Sequence, residues 1–93
     1  MRVKEISIEA PRAAATTVIV STSTAQSAVL QAGEYLFMCD QACNILVGVN
    51  PTATTSCLPV PASTLLRIVG VQEGEKIAII AAASGTAWLY RAI

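Results

Sequence analysis

Histidine is absent from this 93-residue sequence, and the other usual carriers of acid–base chemistry are few. Histidine is the side chain that most often transfers protons near neutral pH. Without it, a cysteine nucleophile would depend on Lys4 or Lys76 for activation, and no spacing connects either lysine to a cysteine. Glu73 and Glu75 flank Gly74, where we expect the two carboxylates to diverge or to face water. The sequence therefore predicts a protein that is not an enzyme.

An excess of charge of either sign is also missing. Six basic and six acidic residues give a net charge of zero, and no basic run occurs. Nucleic-acid affinity comes largely from Lys and Arg side chains that neutralise phosphates, so we expect no nucleic-acid partner. Trp88, Tyr90 and Arg91 alone are a weak basis for single-strand binding. The five glycines are isolated and none begins a phosphate-binding loop, so no cofactor is expected.

Long hydrophobic stretches are lacking as well. No apolar run reaches the ~18–20 residues that span a bilayer. The N-terminal residues do not form the apolar block of a secretory signal, because Glu5 and Glu9 closely follow Arg2 and Lys4. We therefore expect no membrane partner, and synthesis in a cytoplasm.

Cysteine is present in an odd number, which argues against a closed disulfide framework. Three residues separate Cys39 from Cys43, and together with Cys57 they would supply three thiolates to a metal. Asp40 is the one obvious candidate for a fourth ligand. We predict free thiols in buried or partly buried positions and no metal, with a disulfide or a metal site as the alternatives.

Aromatic residues number only four in a chain that is 54% hydrophobic, so the core must consist mainly of Val, Ile, Leu and Ala. Short apolar runs alternate with Gly, Pro, Asn and Thr at roughly 8–12-residue spacing, a pattern typical of sandwiches and small barrels. The predicted strands are residues 17–21, 35–39, 44–49, 65–71, 76–82 and 86–91. The predicted fold class is all-β, a small antiparallel β-sandwich or jelly-roll-like barrel with an extended N-terminal arm.

Two connections carry specific predictions. The short polar segment 40–42 predicts a hairpin between the runs 35–39 and 44–49, with Cys39 and Cys43 on either side of its loop. The segment 58–61 contains two prolines, which cannot donate ladder hydrogen bonds. We expect it to cross between sheets or to run along a sheet edge.

The first fifteen residues differ from the rest of the chain. Val3, Ile6 and Ile8 lie among charged neighbours, and Ile6 and Ile8 alternate with Ser7 and Glu9, which suits an extended segment with one apolar face. Residues 1–15 are therefore a predicted arm, and residues 16–93 a single β-sandwich domain. The arm is either an edge strand of the same sheet or a segment that reaches onto a neighbouring molecule through Val3, Ile6 and Ile8.

The last predicted strand has large side chains on both faces. Ala87 and Leu89 point one way, whereas Trp88 and Tyr90 point the other way. This arrangement indicates one face in the core and one in a contact, and aromatic residues dominate interface hot spots. Trp88 and Tyr90 are therefore predicted interface residues, although in a chain with only four aromatic residues a buried structural role is the one we favour for Trp88. Low charge combined with high apolar content also favours association.

The order of turn motifs from Ser27 to Ile93 resembles the small virion proteins of tailed bacteriophages. The residues that carry the resemblance are Gly33-Glu34-Tyr35 before a strand, an isolated Cys43, the run Ile45-Leu46-Val47-Gly48-Val49-Asn50-Pro51-Thr52-Ala53-Thr54, Leu58-Pro59 with Pro61-Ala62, Gly74-Glu75-Lys76-Ile77-Ala78, and Ser84-Gly85-Thr86-Ala87. The first 24 residues lie outside the resemblance.

The resemblance implies a capsid decoration or cement protein. Such a protein would be a small β-sandwich or jelly roll that docks on the major capsid protein at the outside of the shell, often as a homotrimer at local threefold positions. A head–tail connector, tail or fibre component of the same particle is the first alternative. A free host-interaction or inhibitor protein in the infected cell is the second alternative.

Overall fold

A computed structural model describes residues 15–92, and these residues fold into eight β-strands without an α-helix. The strands are β1 (Thr16–Val20), β2 (Ala25–Gln26), β3 (Gly33–Cys39), β4 (Cys43–Gly48), β5 (Leu58–Val60), β6 (Leu66–Val71), β7 (Lys76–Ala81) and β8 (Gly85–Arg91). Across the described residues, no helix has the length and apolar character that a membrane crossing requires. The predicted arm, apart from its last residue, lies outside the described residues.

The strands form two four-stranded antiparallel sheets that pack against each other. The first sheet has the order β1-β8-β3-β6, and the second has the order β2-β7-β4-β5. The pairs β1–β8, β2–β7, β3–β6 and β4–β5 are nested along the chain, so the backbone follows one long hairpin folded over on itself. This is the strand order of an eight-stranded jelly roll. The predicted all-β sandwich class is confirmed, and the pairing selects its jelly-roll form.

A thin, mostly aliphatic core lies between the sheets. Alternating positions of β1, β3, β7 and β8 point inward, as the period of two in a strand requires. The largest fully buried side chains are Phe37, Ile77, Ile79, Val20 and Cys39. Among the described core residues only Tyr35 and Phe37 are aromatic, which agrees with the composition.

The six strands expected from the sequence are present, with ends that shift by a residue or two. β5 lies at the edge of the second sheet and pairs with β4 alone, so the prediction of an edge position for the Pro-containing segment is confirmed. β2 and β5, with only two and three residues, are not among the six predicted strands.

The predicted hairpin between β3 and β4 is wrong. These strands lie in different sheets, and residues 40–42 form an arch that carries the chain across the core. The physical reason is that β8 already occupies the position beside β3 that a hairpin partner would need. The carboxylate of Asp40 fixes the arch, because its Oδ1 accepts a hydrogen bond of 2.9 Å from the backbone N–H of Thr86. Cys39 and Cys43, at the two ends of the arch, both point into the core.

One buried hydroxyl joins the second sheet to the segment that follows β2. Ser27 is the buried polar residue of the described region, and its Oγ accepts a hydrogen bond of 3.0 Å from the backbone N–H of Ile77. The N–H of Ser27 donates in turn to the carbonyl of Ile77 at 2.8 Å. The two bonds continue the β2–β7 pairing beyond the end of β2.

Candidate interaction surface

The outer side of the first sheet, which faces away from the core, is largely apolar. We call the part of it that β1, β8 and β3 form the outer apolar face, and its members are Ile19, Leu36, Met38, Trp88 and Tyr90. Trp88 is paired in register with Thr17 on one side and with Met38 on the other, and Leu36 is paired with Tyr90. Directly paired residues of an antiparallel sheet have their side chains on the same face, so the five form one surface.

Exposure varies across this face. Ile19 is 75% exposed and Trp88 is 36% exposed, so both present apolar surface to water. Leu36 is only 7% exposed although it does not belong to the core cluster. It is paired with Tyr90 and Arg67, whose long side chains are placed to cover it.

The structure decides between the two sequence-based roles of Trp88. It does not lie in the core, because Ala87 and Leu89 are the residues of β8 that turn inward. The favoured prediction of a buried structural tryptophan is therefore wrong. The prediction that Trp88 and Tyr90 form an interface stays a prediction, and the face on which they lie is available for it. Val3, Ile6 and Ile8, the other predicted interface residues, lie outside the described residues.

Charged groups in the described region hold the fold together rather than converging on a site. Arg67 pairs with Glu34 at the rim of the outer apolar face. The guanidinium of Arg91 donates to the carbonyl of Ala32 at 2.7 Å. The remaining carboxylates accept backbone N–H groups: Asp40 from Thr86, Glu73 from Ala32 and Glu75 from Gln72. No two carboxylates share a contact here that could support general acid–base chemistry.

The four sheet edges of the described region differ in how they are protected against pairing with another strand. β2 and β5 are very short, and β5 contains Pro59. β6 carries the charged Arg67, and its pairing with β3 is interrupted by a bulge next to Gly33. These are the usual devices by which proteins block their edges. β1, with the sequence TTVIV, has no charge, proline, glycine or bulge. Among the described edges it is the one open to pairing.

A shallow groove of about 620 Å³ lies on the outer side of the second sheet. Its lining includes Thr55, Pro61 and the residues Asn44, Pro59 and Ile80, which are paired in register across β4, β5 and β7. The Nδ2 of Asn44 donates to the carbonyl of Cys57 at 2.9 Å, so the amide serves to hold the loop after β4. The groove is mostly apolar, and among the described residues that line it Cys43 alone is titratable.

The three thiols are free, as the sequence predicts. Burial, followed by the neighbouring Cys39 and a hydrogen bond between the two thiols, raises the pKa of Cys43 from 9.0 to about 12. A thiol with so high a pKa is a poor nucleophile, because the thiolate is the reactive form. Cys57 lies apart in a half-buried position, where its Sγ accepts the N–H of Thr54 at 3.4 Å. No cluster of three or more potential metal ligands occurs within residues 15–92.

Sequence reasoning did not identify Ile19, Leu36 and Met38 as surface residues. The available signal was their alternation with buried residues in β1 and β3, but both faces of these strands are apolar, so the pattern does not show which face turns outward. No protein-family model matches the chain, and no curated protein or solved structure matches it either.

Proposed function

We propose that this chain is a structural virion protein that binds the outside of a bacteriophage capsid and stabilises the mature shell. The observation that carries the proposal is the outer apolar face, where Trp88 is exposed beside Met38. Large apolar surfaces on small proteins are typical of binding sites for other proteins. The partner in this proposal is the major capsid protein, and catalysis has no part in the function.

The fold supports the proposal by analogy. Jelly rolls with eight strands recur in viral capsid proteins, although the same fold also serves lectins and other binding proteins. The motifs between Ser27 and Ile93 that resemble small phage virion proteins span connections of this jelly roll and parts of the strands beside them. The resemblance and the fold therefore favour the same class of protein.

The mechanism of such a protein is thermodynamic. A protein that binds only the mature lattice stabilises that lattice by mass action, and many modest contacts add up when copies are repeated over the shell. Trp88 and Tyr90 would contribute the aromatic contacts, and Val3, Ile6 and Ile8 would anchor the N-terminal segment on a neighbour. Loss of the protein would lower the resistance of particles to heat without abolishing their assembly. The protein would be made in the host cytoplasm and would act at the capsid surface as a homo-oligomer.

The first experiment is to measure the number of copies of this chain relative to the major shell protein in purified particles, by quantitative mass spectrometry. A ratio near one, or a fixed simple fraction, is the result expected of a decoration protein. A ratio of a few per cent would indicate a tail, fibre or connector component instead. Absence from the particles would contradict the virion proposal and favour a free host-interaction protein.

A binding experiment tests the surface itself. Purified protein is added back to particles that lack it, and the variant Trp88→Ser is compared with the control Leu58→Ser. Leu58 is also an exposed apolar residue, but it lies at the edge of the second sheet. Removal of a hot-spot aromatic residue should weaken binding by roughly thirtyfold or more, since such residues contribute about 2 kcal/mol or more. Equal binding by both variants would exclude the outer apolar face as the docking surface.

A further inference from the structure

The open edge at β1 lies next to the most exposed side chain of the outer apolar face. Ile19, 75% exposed, projects from β1, and Thr17 on the same strand separates this edge from Trp88 on β8. Exposed apolar side chains also lie on β5 and β6, but among the four described edges only β1 combines a strand of five residues with the lack of any charge, proline, glycine or bulge. Unprotected edges of this kind pair readily with another strand.

We propose that β1 pairs with β1 of a second copy of this chain, antiparallel and across a twofold axis at Val18. This register uses all five residues of the strand: Val18 faces Val18, Thr17 faces Ile19, and Thr16 faces Val20 of the other copy. The two first sheets then become one continuous sheet of eight strands. Sheets joined in this way are self-complementary, as a twofold contact requires.

The chemistry of the strand fits an identical partner. Residues 15–21 carry no charge, so two copies of this edge meet without bringing like charges together. All five residues of β1 are β-branched, and such residues favour strand pairing. The other three edges offer a worse partner, because they are short or carry a proline, a charge or a bulge.

The pairing also covers the exposed apolar side chains. On the outer apolar face, Ile19 comes to lie opposite Thr17 of the second copy, and Trp88 of that copy lies directly beyond it. An indole ring two strands away is large enough to reach over a threonine, so Ile19 and Trp88 of different copies can be in contact. The contact occurs twice because of the twofold axis.

This proposal rests on the proposed function in one respect, because it adds a second copy of this chain, beside the major capsid protein, as a partner of the outer apolar face. It can fail independently, because it concerns the purified protein in solution, whereas the proposed function is tested by the composition of particles. A dimer that is absent from particles would support the pairing and contradict the virion role. A monomer present at hundreds of copies per particle would contradict the pairing and support the virion role.

The experiment compares the full chain with three lysine variants by sedimentation equilibrium over a range of concentrations. Ile19→Lys places a charge at the proposed contact. Val69→Lys is the matched control, because Val69 is 64% exposed on the outer side of the same sheet but lies on β6 at the opposite edge. Ile8→Lys tests whether the N-terminal segment is the true partner of the edge. All three replace aliphatic residues, and the two described positions are exposed, so the fold should tolerate the charge.

The expected result is a dimer for the full chain, for Val69→Lys and for Ile8→Lys. Ile19→Lys should weaken the dimer about 100-fold, since the lost apolar contact occurs twice and each is worth roughly tenfold. The emission of Trp88 should shift to shorter wavelength as the concentration rises, except in Ile19→Lys. A full chain that stays monomeric or forms only trimers overturns the proposal. Equal dimerisation of Ile19→Lys, or loss of the dimer in Ile8→Lys, overturns it as well.

Discussion

Gly85 is the position at which one added methyl group should disturb the fold most clearly. A Cβ atom at this residue would lie 2.2 Å from Oδ1 of Asp40 and 2.7 Å from Cγ of Gln41, far inside contact distance. Asp40 must then move, and its Oδ1 gives up the N–H of Thr86 that it accepts at 2.9 Å. That bond fixes the arch between the two sheets, so Gly85→Ala should loosen the connection of β3 to β4.

The expected cost is about 2 kcal/mol of the free energy of unfolding. A hydrogen bond to a charged group contributes about 1.5–3 kcal/mol, and the exposed position of Asp40 favours the lower end. Forcing the Gln41 side chain off its preferred rotamer adds roughly 0.5 kcal/mol. Gly48→Ala is the control, because its Cβ would meet Pro51 at an ordinary 3.8 Å. This control should be neutral or stabilising by up to about 1 kcal/mol.

Urea denaturation followed by circular dichroism measures both variants, and a double-mutant cycle with Asp40→Ala isolates the cause. In the Asp40→Ala background the clash with the carboxylate is gone and the bond to Thr86 is already lost. Gly85→Ala should then cost less than about 1 kcal/mol, because only the Gln41 side chain must still shift. A cost that is the same in both backgrounds would refute the explanation through Asp40, and a neutral Gly85→Ala would refute the role of the arch.

Three further predictions concern the core and the N-terminal segment. Ser27→Ala leaves the buried N–H of Ile77 without an acceptor and should lower the free energy of unfolding by about 1–3 kcal/mol, while Ser84→Ala at an exposed position should have little effect in the same denaturation assay. The pKa of Cys43 is about 12 in the folded chain, against an ordinary value of 9.0. The contribution of this thiol to the free energy of unfolding should therefore be fully present below pH 9 and should fall by at most about 1.4 kcal/mol per pH unit between pH 9 and 12. A Cys43→Ala variant should lack this contribution to the slope, and an equal slope in both proteins would contradict the assignment. Deletion of the predicted arm, residues 1–15, should weaken binding to particles in the add-back experiment, and unchanged binding would show that Val3, Ile6 and Ile8 are not anchors.

Short apolar runs bounded by turn residues are sufficient to predict where the longer strands lie. Runs such as Lys76–Ala81 and Gly85–Arg91 carry that pattern locally, and the structure has them within a residue of the predicted limits. The same information does not reveal which strands pair. Thr16 is paired with Leu89, and nothing near either residue specifies a partner so distant in the sequence. The segment 40–42 shows the consequence, because a short polar loop is compatible with a hairpin and with an arch.

Whether Trp88 lies in the core or on the surface also depends on strand pairing, which the sequence does not reveal. A sequence with few aromatic residues suggests that its single tryptophan fills the core. The register of β8 instead places Ala87 and Leu89 against the opposite sheet, where the thin core has room for small and medium side chains. The aromatic members of the candidate surface, Trp88 and Tyr90, could therefore be predicted from the sequence. The membership of Ile19, Leu36 and Met38 could not, because it follows from the pairing of β1, β8 and β3.

The nested strand order affects how the protein is made on the ribosome. β8 lies between β1 and β3 in the first sheet, so that sheet cannot close before β8 has left the exit tunnel. Translation proceeds at about 5–20 residues per second, so β1 waits for roughly 4–14 s before its partner arrives. Throughout that interval both edges of an uncharged, β-branched strand are open to nascent chains on neighbouring ribosomes of the same message. Pairing between the β1 strands of neighbouring nascent chains is therefore a reaction that competes with folding during synthesis.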